Sequence, residues 1–272
     1  MENSSTCELV NTYEILEHIM GIDGLHPHSL KTVNNILNLI AKHTENQKGV
    51  ILDIGCGSGK GTYNLSKKIS KGIDIIGIDI NKIAIQKAKS YYEDIPNLSF
   101  YHGTMEDFRL QYPTLKIIGI FSISVSMFLP DIEFFYKNSE KILSPGGIFI
   151  DAPFVFKHLS FSEKFKLKTY AICGCNMKMY TTKYLKQKLC KSNFKIVKSE
   201  SKEFELMNLK ILFKDYAPSY LFSNFTKNIL NSPEVLQVKS SSYLFRRTIQ
   251  MFTHFILNRN KYGAGILVGI KK

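Results

Sequence analysis

The segment with the clearest chemical content is a glycine-rich loop, LDIGCGSGKG, at residues 52–61. It follows a short apolar run, GVILDIG, and precedes a helical pattern, which predicts a turn between a first strand and a helix. Glycines at such a turn let the backbone bend sharply and approach a ligand, and the first amides of the helix can donate to it. Gly55, Gly57 and Gly59 are therefore candidate cofactor-binding residues, together with Cys56 between them.

The residues around the glycines decide which cofactor the loop can hold. A phosphate-binding loop ends in Gly-Lys-Ser or Gly-Lys-Thr, whereas here Lys60 is followed by Gly61. A dinucleotide-binding loop needs glycine or alanine where this chain has Lys60. Asp53, at the tip of the strand, would repel a pyrophosphate and attract a cationic group. The loop therefore favours a cofactor that carries positive charge.

A second carboxylate, Asp79, follows Asp53 by 26 residues and lies near the end of the next apolar run, IDIIGIDI. An acid at the tip of the second strand is placed to accept both hydrogen bonds of a ribose diol. S-adenosylmethionine combines such a ribose with an ammonium and a sulfonium. The loop and the two carboxylates therefore predict S-adenosylmethionine as the cofactor.

Side chains outside the loop add candidates of lower specificity. Ser122, at the predicted tip of the fourth strand, is the candidate to meet the methionine or substrate end of the ligands, because ligands of open sheets bind at strand tips. His26 and His28 flank a proline before the first helix. They are either substrate-side residues or an ordinary loop and helix cap.

Three cysteines, Cys173, Cys175 and Cys190, could act as soft ligands of a metal or of arsenic. A fourth ligand and regular spacing are missing. No metal site is therefore predicted, and ordinary buried cysteines are the expectation.

The elements that must position these residues alternate along the first 151 residues. Short apolar runs predict strands at GVILDIG, IDIIGIDI, LSFYH, IIGIFSIS and GGIFIDA. Helical spacing predicts helices over residues 30–41, about 60–70 and 81–92, with Asn81 as an N-cap, and at IEFFYKNSEKIL before a turn at residues 144–147. This alternation predicts a parallel sheet with helices on both faces.

After Asp151 the alternation ends. Helices at about 160–170 and 181–191 precede a strand, FKIVKSE, and the chain closes on a strand, YGAGILVGI. About 60 residues separate these strands, which predicts an ordered helical insertion. The predicted fold is α/β: a Rossmann-like, doubly wound, mostly parallel seven-stranded sheet with an N-terminal helical cap. Its predicted parts are the cap (1–48), the cofactor-binding core (49–151) and a substrate-side half (152–272).

Composition and charge agree with a large globular chain whose halves differ. The 272 residues are 44% apolar, enough for a packed core, which excludes a disordered or collagen-like chain. Residues 1–150 carry 14 basic and 16 acidic side chains, and residues 151–272 carry 22 and 7, a net charge of +15. The basic half is either a binding surface or a lysine-rich solvated surface.

The compartment is predicted from cysteines and from the N-terminal residues. Five cysteines, an odd number, indicate reduced thiols and a cytoplasmic protein. The residues MENSSTCELV lack the cations and apolar run of a signal peptide, and the most apolar stretch, 117–129, is too short to cross a bilayer.

The motifs taken together resemble the class I S-adenosylmethionine-dependent methyltransferases, and within them the small-molecule subgroup. VILDIGCGSGKGT is similar to that family's first motif, IIGIDIN to its second and LSFYHGTMEDF to its third. FSISVSMFLPDIEFFYKNSEKILSPGGIFI is similar to the fourth and fifth. The resemblance covers residues 28–151 closely, and the GLHPHSLKTV and CGCNMKMYTTKYLKQKLCKSNFKIV segments resemble arsenite-type and related methyltransferases less specifically.

The resemblance implies a role for each matching residue. The three loop glycines would line the methionine part of the cofactor, and Asp53 would hold its ammonium directly or through water. Asp79 would hold the ribose, and Ile80 would pack on the adenine. Met105 and Glu106 would flank the purine's other side and edge.

Two positions depart from the family's pattern. Thr104 replaces a frequent aspartate, so Glu106 is the substitute expected to meet the adenine amine. Met127 and Phe128 replace paired histidines, so Met127 is a substrate-side candidate and no histidine base is expected there.

The function implied is methyl transfer to a small-molecule acceptor by in-line displacement. Two alternatives stay open: a nucleic-acid methyltransferase that uses the basic half as an electrostatic footprint, and a non-catalytic cofactor-binding partner subunit. Against the first, the fourth motif lacks the Asn/Asp-Pro-Pro-aromatic signature of base methylation, and against the second, the loop acids and glycines are intact.

Overall fold

A computed structural model describes residues 30–157, 171–172, 175–176, 178–203 and 261–272. Six helices are described: α1 (Leu30–Thr44), α2 (Lys60–Ser66), α3 (Lys82–Tyr91), α4 (Met105–Gln111), α5 (Ile132–Ile142) and α6 (Thr182–Leu189). The strands are β1 (Gly49–Ile54), β2 (Ile73–Asp79), β3 (Leu98–His102), β4 (Ile117–Ile123), β5 (Leu143–Ala152), β6 (Phe154–Phe156), β7 (Ala171–Ile172), β8 (Cys175–Asn176), β9 (Phe194–Glu203) and β10 (Tyr262–Lys271).

The main sheet is parallel over five strands, in the order β3-β2-β1-β4-β5. The chain runs from β1 outward through β2 to β3, then returns to the other side of β1 with β4 and β5. The strand order therefore reverses between β1 and β4, and open sheets of this kind bind ligands at the carboxyl ends of the strands at that point. The predicted doubly wound architecture is confirmed.

Eight strands of the described chain fill seven positions in this sheet. β10 runs antiparallel to β5, with Leu267 opposite Asp151. Pro153 separates β5 from β6, but the pairing with β10 continues in the same register, because the amide of Gly265 donates to the carbonyl of Pro153 at 2.8 Å. Pro153 has no N–H to continue the ladder, so β5 and β6 are two segments of one position. β9 pairs with β10, which completes the predicted seven-stranded sheet; β7 and β8 form a separate antiparallel pair.

Two clusters of buried residues cover the two faces of the sheet, since successive side chains of a strand point to opposite sides. On β1, Leu52 packs with the cluster that includes Phe108 of α4 and Leu185 of α6. Ile51 packs with the other cluster, which includes Leu37 of α1. Helices therefore lie on both faces, as the alternation of strands and helices predicted.

The helix starts around the sheet are set by local side-chain caps. The predicted N-cap Asn81 is confirmed, because its carboxamide oxygen accepts from the amides of Ile83 and Ala84 at 3.0 and 3.1 Å. Thr104 caps α4 together with Asp107 in a reciprocal capping box. Such caps satisfy amides that have no partner within the helix.

The predicted turn at residues 144–147 lies within the bounds of β5, where it interrupts the pairing. Ile117 pairs with Leu143, but Gly119 pairs with Ile148, so the residues between them protrude from the ladder. Gly146 has a φ of 75°, in the left-handed region that glycine adopts readily. The turn and the strand prediction therefore both hold at this point.

Contacts between Cα atoms divide the chain into two compact units. One comprises Leu30–Phe156, Met179–Lys202 and Ala264–Lys272, and the other comprises Met1–Ser29, Lys157–Lys178 and Glu203–Gly263. The first unit carries the five parallel strands and the reversal point of the sheet. The helix predicted at 160–170 and most of the predicted insertion lie outside the described residues. In the part of the chain that is described, no helix is long and apolar enough to span a bilayer.

Candidate cofactor site

The glycine-rich loop lies at the carboxyl end of β1, where the strand order reverses. Its start is anchored to β2, because the amides of Gly55 and Cys56 donate to the carbonyl of Ile78 at 2.7 and 3.1 Å. Gly59 then occupies the N-cap position of α2 with a φ of 85°. The predicted sequence of strand, glycine loop and helix is therefore confirmed.

The three loop glycines serve different purposes. A Cβ on Gly55 would lie 2.3 Å from a methyl of Val125, and one on Gly59 would lie 2.6 Å from the ring of Phe100. These two glycines permit close packing. Gly57 also has a positive φ, 55°, but apart from Gly57 itself and its two chain neighbours no atom of the described residues lies within 4 Å of its Cβ position. Gly57 is therefore the loop glycine beside open space, where a ligand could approach the backbone.

Asp79 is held at the tip of β2 by two backbone amides. Its Oδ2 accepts from the amide of Gly57 at 2.8 Å, and its Oδ1 accepts from the amide of Asn81 at 2.8 Å. Burial raises the pKa of Asp79, while these amides and the charge of His102 lower it. Each carboxylate oxygen keeps a further lone pair, so both can accept hydroxyl groups.

Asp53 lies deeper than its position at a strand tip suggested. Its side chain is buried and accepts from the hydroxyl of Thr62, on α2, at 2.7 Å. Burial raises the pKa of Asp53 to about 7, the Thr62 hydroxyl lowers it and the nearby Asp79 raises it. Thr62 was not predicted from the sequence, where its only sign is a polar residue within the short helix after the loop. Asp53 is thus a carboxylate whose charge depends on what binds beside it.

Ile80 presents an apolar surface next to Asp79. The side chain of Ile80 is 63% exposed, which is unusual for isoleucine. His102, at the tip of β3, donates from Nε2 to the carbonyl of Ile80 at 3.1 Å and so ties this turn to the neighbouring strand. A carboxylate that can accept a diol beside an exposed apolar side chain fits a nucleoside.

The two residues predicted to flank the purine, Met105 and Glu106, both contact other side chains of the protein. Met105 is buried in the core cluster, and its sulfur accepts from the hydroxyl of Ser139 at 3.9 Å. Glu106 is half-buried and accepts from the side-chain amide of Asn138 at 2.8 Å. Thr104, which stands where the family often has aspartate, caps α4. The purine contacts of Met105 and Glu106 stay predictions.

Ser122 belongs to a buried polar cluster that the sequence analysis missed. Its hydroxyl donates to Oδ1 of Asp151 at 3.0 Å, and the phenol of Tyr136 donates to Oδ2 at 2.7 Å. Burial raises the pKa of Asp151 to about 6, against the lowering effect of the surrounding hydroxyls. The only sequence signal was an acid inside an apolar run, GGIFIDA. A ligand contact of Ser122 stays a prediction.

The other candidates have varied positions. Met127 is buried in a 3-10 turn over Ser126–Phe128, between β4 and α5. Cys56 packs beside Phe100, and burial raises the pKa of its thiol. Cys190 is exposed. Cys175 is in β8. The other candidates, His26, His28 and Cys173, lie outside the described residues.

A cofactor with a ribose, a flat apolar base and a cationic group fits this geometry. Asp79 is oriented by amides, Ile80 is exposed beside it and Gly57 borders open space. Asp53 lies close enough to Asp79 for the charge of Asp79 to raise its pKa. These residues are brought together at one edge of the sheet, although they come from separate strands.

Comparisons with known proteins find similarity to methyltransferases. The rat arsenite methyltransferase is 31% identical over 141 residues, which are 47% of this chain and 36% of the rat protein. The sterol 24-C-methyltransferase of Pneumocystis carinii is 32% identical over 115 residues, 40% of this chain and 29% of the fungal protein. The matches thus span about a third of the length of these relatives.

A solved methyltransferase structure has a similar fold. The S-adenosylmethionine-dependent methyltransferase from Thiobacillus denitrificans, in complex with S-adenosylhomocysteine, superimposes with a TM-score of 0.67 at 15% identity, covering 96% of this chain and 98% of that one. The family model described as a methyltransferase domain matches residues 45–215. That range contains the glycine loop, both carboxylates and all five parallel strands. The chain therefore belongs to the methyltransferase domain family, which confirms the resemblance of its motifs.

Proposed function

We propose that this protein transfers a methyl group from S-adenosylmethionine to a small-molecule acceptor. The observation that carries the proposal is the Asp79 carboxylate, oriented by the amides of Gly57 and Asn81 beside the exposed Ile80. Membership of the methyltransferase domain family supports the same reading. The matches cover only about a third of the length of these two relatives, so the proposal rests on the site of this chain as well as on the similarity.

The chain's own residues would hold the cofactor in three places. Asp79 would accept the ribose hydroxyls, Ile80 would pack on the adenine, and Gly57 would let the backbone approach the methionine part. Asp53 would face the ammonium, whose positive charge favours the ionised carboxylate. The bound cofactor supplies a methyl group on a sulfonium that is its own leaving group.

Alignment and water exclusion are then the protein's main contributions. Holding both reactants in line can remove about 7–11 kcal/mol of a bimolecular barrier. Residues 127 and 128 are Met and Phe, so the fourth motif offers no imidazole base. This favours acceptors whose lone pair or carbon nucleophile needs little proton transfer.

The small-molecule class of acceptor is supported by the curated relatives. One of them is named for arsenite and another for a sterol, so the similarity supports the class of small molecules rather than one compound. We also propose a cytoplasmic location, supported by the odd number of cysteines and by the free thiols of Cys56 and Cys190.

We expect the purified protein to bind S-adenosylhomocysteine in the micromolar range and NAD at least tenfold more weakly. Asp53, beside the loop, favours a cationic group and opposes a pyrophosphate, whereas Asp79 could accept the ribose diol of either ligand. Isothermal calorimetry with both ligands measures the difference, and labelled S-adenosylmethionine with separate pools of metabolites, lipids and RNA then tests transfer. Tight NAD binding without heat from S-adenosylhomocysteine would refute the cofactor assignment. Binding without transfer to any pool would favour a non-catalytic partner subunit.

We expect small-molecule methylation to depend only weakly on salt and on the basic half of the chain. Lys186 and Lys191 are exposed on and just after α6, and exposed charges are screened within about 8 Å at physiological ionic strength. The double variant Lys186→Gln, Lys191→Gln should keep turnover within about twofold, as should Lys71→Gln, Lys89→Gln, which removes two exposed charges from the other half.

The nucleic-acid alternative predicts the opposite result for the same variants. A protein with several phosphate contacts loses about three or more orders of magnitude in affinity between 50 and 200 mM salt. Turnover with RNA that is lost in the first double variant but kept in the second would identify the basic half as a nucleic-acid surface.

A further inference from the structure

The buried cluster around Asp151 lies at the carboxyl end of β5, apart from the glycine loop. Asp151 is fully buried and receives one hydroxyl from β4 and one from α5, those of Ser122 and Tyr136. The hydroxyl of Ser126 is close enough to lower the pKa of Asp151, yet it meets no partner with hydrogen-bond geometry in the described structure. Two hydroxyls thus donate to the Asp151 carboxylate, and a third, that of Ser126, lies nearby.

The backbone that leaves β4 is strained at this point. Ser124 has a φ of 61°, in the left-handed region, and among the described residues it is the only one other than glycine with a positive φ. Its amide donates to the carbonyl of Ala152, the neighbour of Asp151, at 2.8 Å. A non-glycine residue keeps such a conformation only where its surroundings hold it there. Asp151 and Ala152 therefore hold the β4 end twice, through Ser122 and through Ser124.

The strained segment leads directly to the cofactor loop. Val125 follows Ser124, and its methyl groups occupy the space that a Cβ on Gly55 would need. The next residues, Ser126–Phe128, form the 3-10 turn at the end of β4. A continuous chain of contacts thus runs from Asp151 through the β4 end to Gly55. We refer to residues 122–128 as the β4-end segment.

We propose that Asp151 is a positioning residue that fixes the β4-end segment against the glycine loop and so sets the acceptor side of the site relative to the cofactor. The anchoring of the β4-end segment rests only on contacts within the protein. Its effect on the acceptor side of the site rests on the proposed methyl transfer.

The chemistry of the cluster distinguishes anchoring from ordinary packing. A buried carboxylate is costly to desolvate, and apolar residues of similar volume often stabilise a core as well or better. A carboxylate that accepts hydrogen bonds from two different elements instead specifies one arrangement of those elements. Tyr136 and Ser122 can reach their two oxygens of Asp151 only when α5 and β4 have their present register.

The test compares Asp151→Asn with Ile120→Val, a core variant that shortens a buried side chain of the same strand, β4. Asparagine keeps the shape of the residue but replaces one acceptor oxygen with a donor. Hydrogen exchange of the β4-end segment and of residues 54–59 is measured in both variants, together with affinity for S-adenosylhomocysteine and with kcat and KM.

We expect amides of the β4-end segment to exchange at least tenfold faster in Asp151→Asn than in Ile120→Val, once exchange is referred to each variant's global stability. In the acceptor assay kcat should fall at least tenfold, while KM for S-adenosylmethionine changes less than threefold. A purely structural role would accelerate exchange throughout the sheet and would leave kcat of the folded fraction unchanged.

The outcomes separate this inference from the proposed function. Exchange that is unchanged, or faster to the same extent everywhere, overturns the anchoring role even if the wild type methylates. The wild type could transfer methyl to no acceptor while Asp151→Asn still shows faster exchange only in the β4-end segment. That result supports anchoring and refutes the proposed function alone. If Asp151→Asn fails to fold, Tyr136→Phe replaces it in the test, because this variant keeps the carboxylate and removes one donor. We expect a smaller rise in exchange rate, confined to the β4-end segment. An unchanged exchange rate in Tyr136→Phe would overturn the inference.

Discussion

Asp79→Ala should weaken binding of S-adenosylhomocysteine at least about a hundredfold. Hydrogen bonds to a charged group contribute about 1.5–3 kcal/mol each, and two lost ribose bonds therefore amount to roughly 3 kcal/mol or more. Each 1.4 kcal/mol corresponds to a factor of about ten in the dissociation constant. Calorimetry at constant salt measures the change directly.

The substitution also removes an internal support of the site. The amides of Gly57 and Asn81 lose their acceptor, so the loop and the α3 start lose a common anchor. Asp79→Asn keeps one acceptor oxygen and should lie between the wild type and Asp79→Ala. Asp74→Ala is the matched control, because Asp74 is an exposed aspartate on the same strand. An affinity of Asp79→Ala within threefold of the control would refute the second-motif assignment.

Asp53→Asn should stabilise the ligand-free protein, and the gain should grow as the pH rises from 5 to 8. Burial raises the folded-state pKa of Asp53 from 3.8 to about 7. Between these values the folded protein holds a proton that the unfolded chain has released, so stability falls as the pH rises through this window. The loss is complete above the folded pKa and absent below the unfolded one. Asparagine does not titrate and can still accept from Thr62.

The size of this effect follows from the width of the window. One pH unit corresponds to about 1.4 kcal/mol, so from pH 5 to pH 7 the variant should gain about 2 kcal/mol over the wild type. Urea unfolding of both proteins at several pH values measures the difference, with Asp74→Asn as an exposed control. Saturating S-adenosylhomocysteine should reduce the pH dependence, because its ammonium would lower the pKa of Asp53. A gain that is the same at every pH would show that Asp53 titrates normally.

The sequence was sufficient to predict features that depend on neighbouring residues. Apolar runs of five to eight residues identify the parallel strands, and the Asn81 cap follows from its place before a helical pattern. The glycine loop and the two carboxylates were placed at strand tips because a parallel sheet brings its carboxyl ends to one edge. The same reasoning predicted seven positions in the sheet.

Side-chain partners distant in the sequence required the folded structure. Ser122 and Asp151 are 29 residues apart and meet only because β4 and β5 pair in one register. A shift by one residue would point Ser122 to the other face of the sheet. For this reason the sequence could predict a ligand contact for Ser122, but it could not predict the buried hydrogen bond between Ser122 and Asp151.

For the loop glycines, too, the sequence predicted one part of the site and the folded structure decided the other. Their spacing predicted a sharp turn that a ligand could approach, since only glycine adopts those backbone angles at little cost. Which glycine faces open space was decided by neighbours from elsewhere in the chain: Val125 fills the space beside Gly55, and Phe100 fills the space beside Gly59. Local chemistry thus determined the kind of site. The packing of distant residues, which no short window of sequence contains, decided which atoms remain available to a ligand.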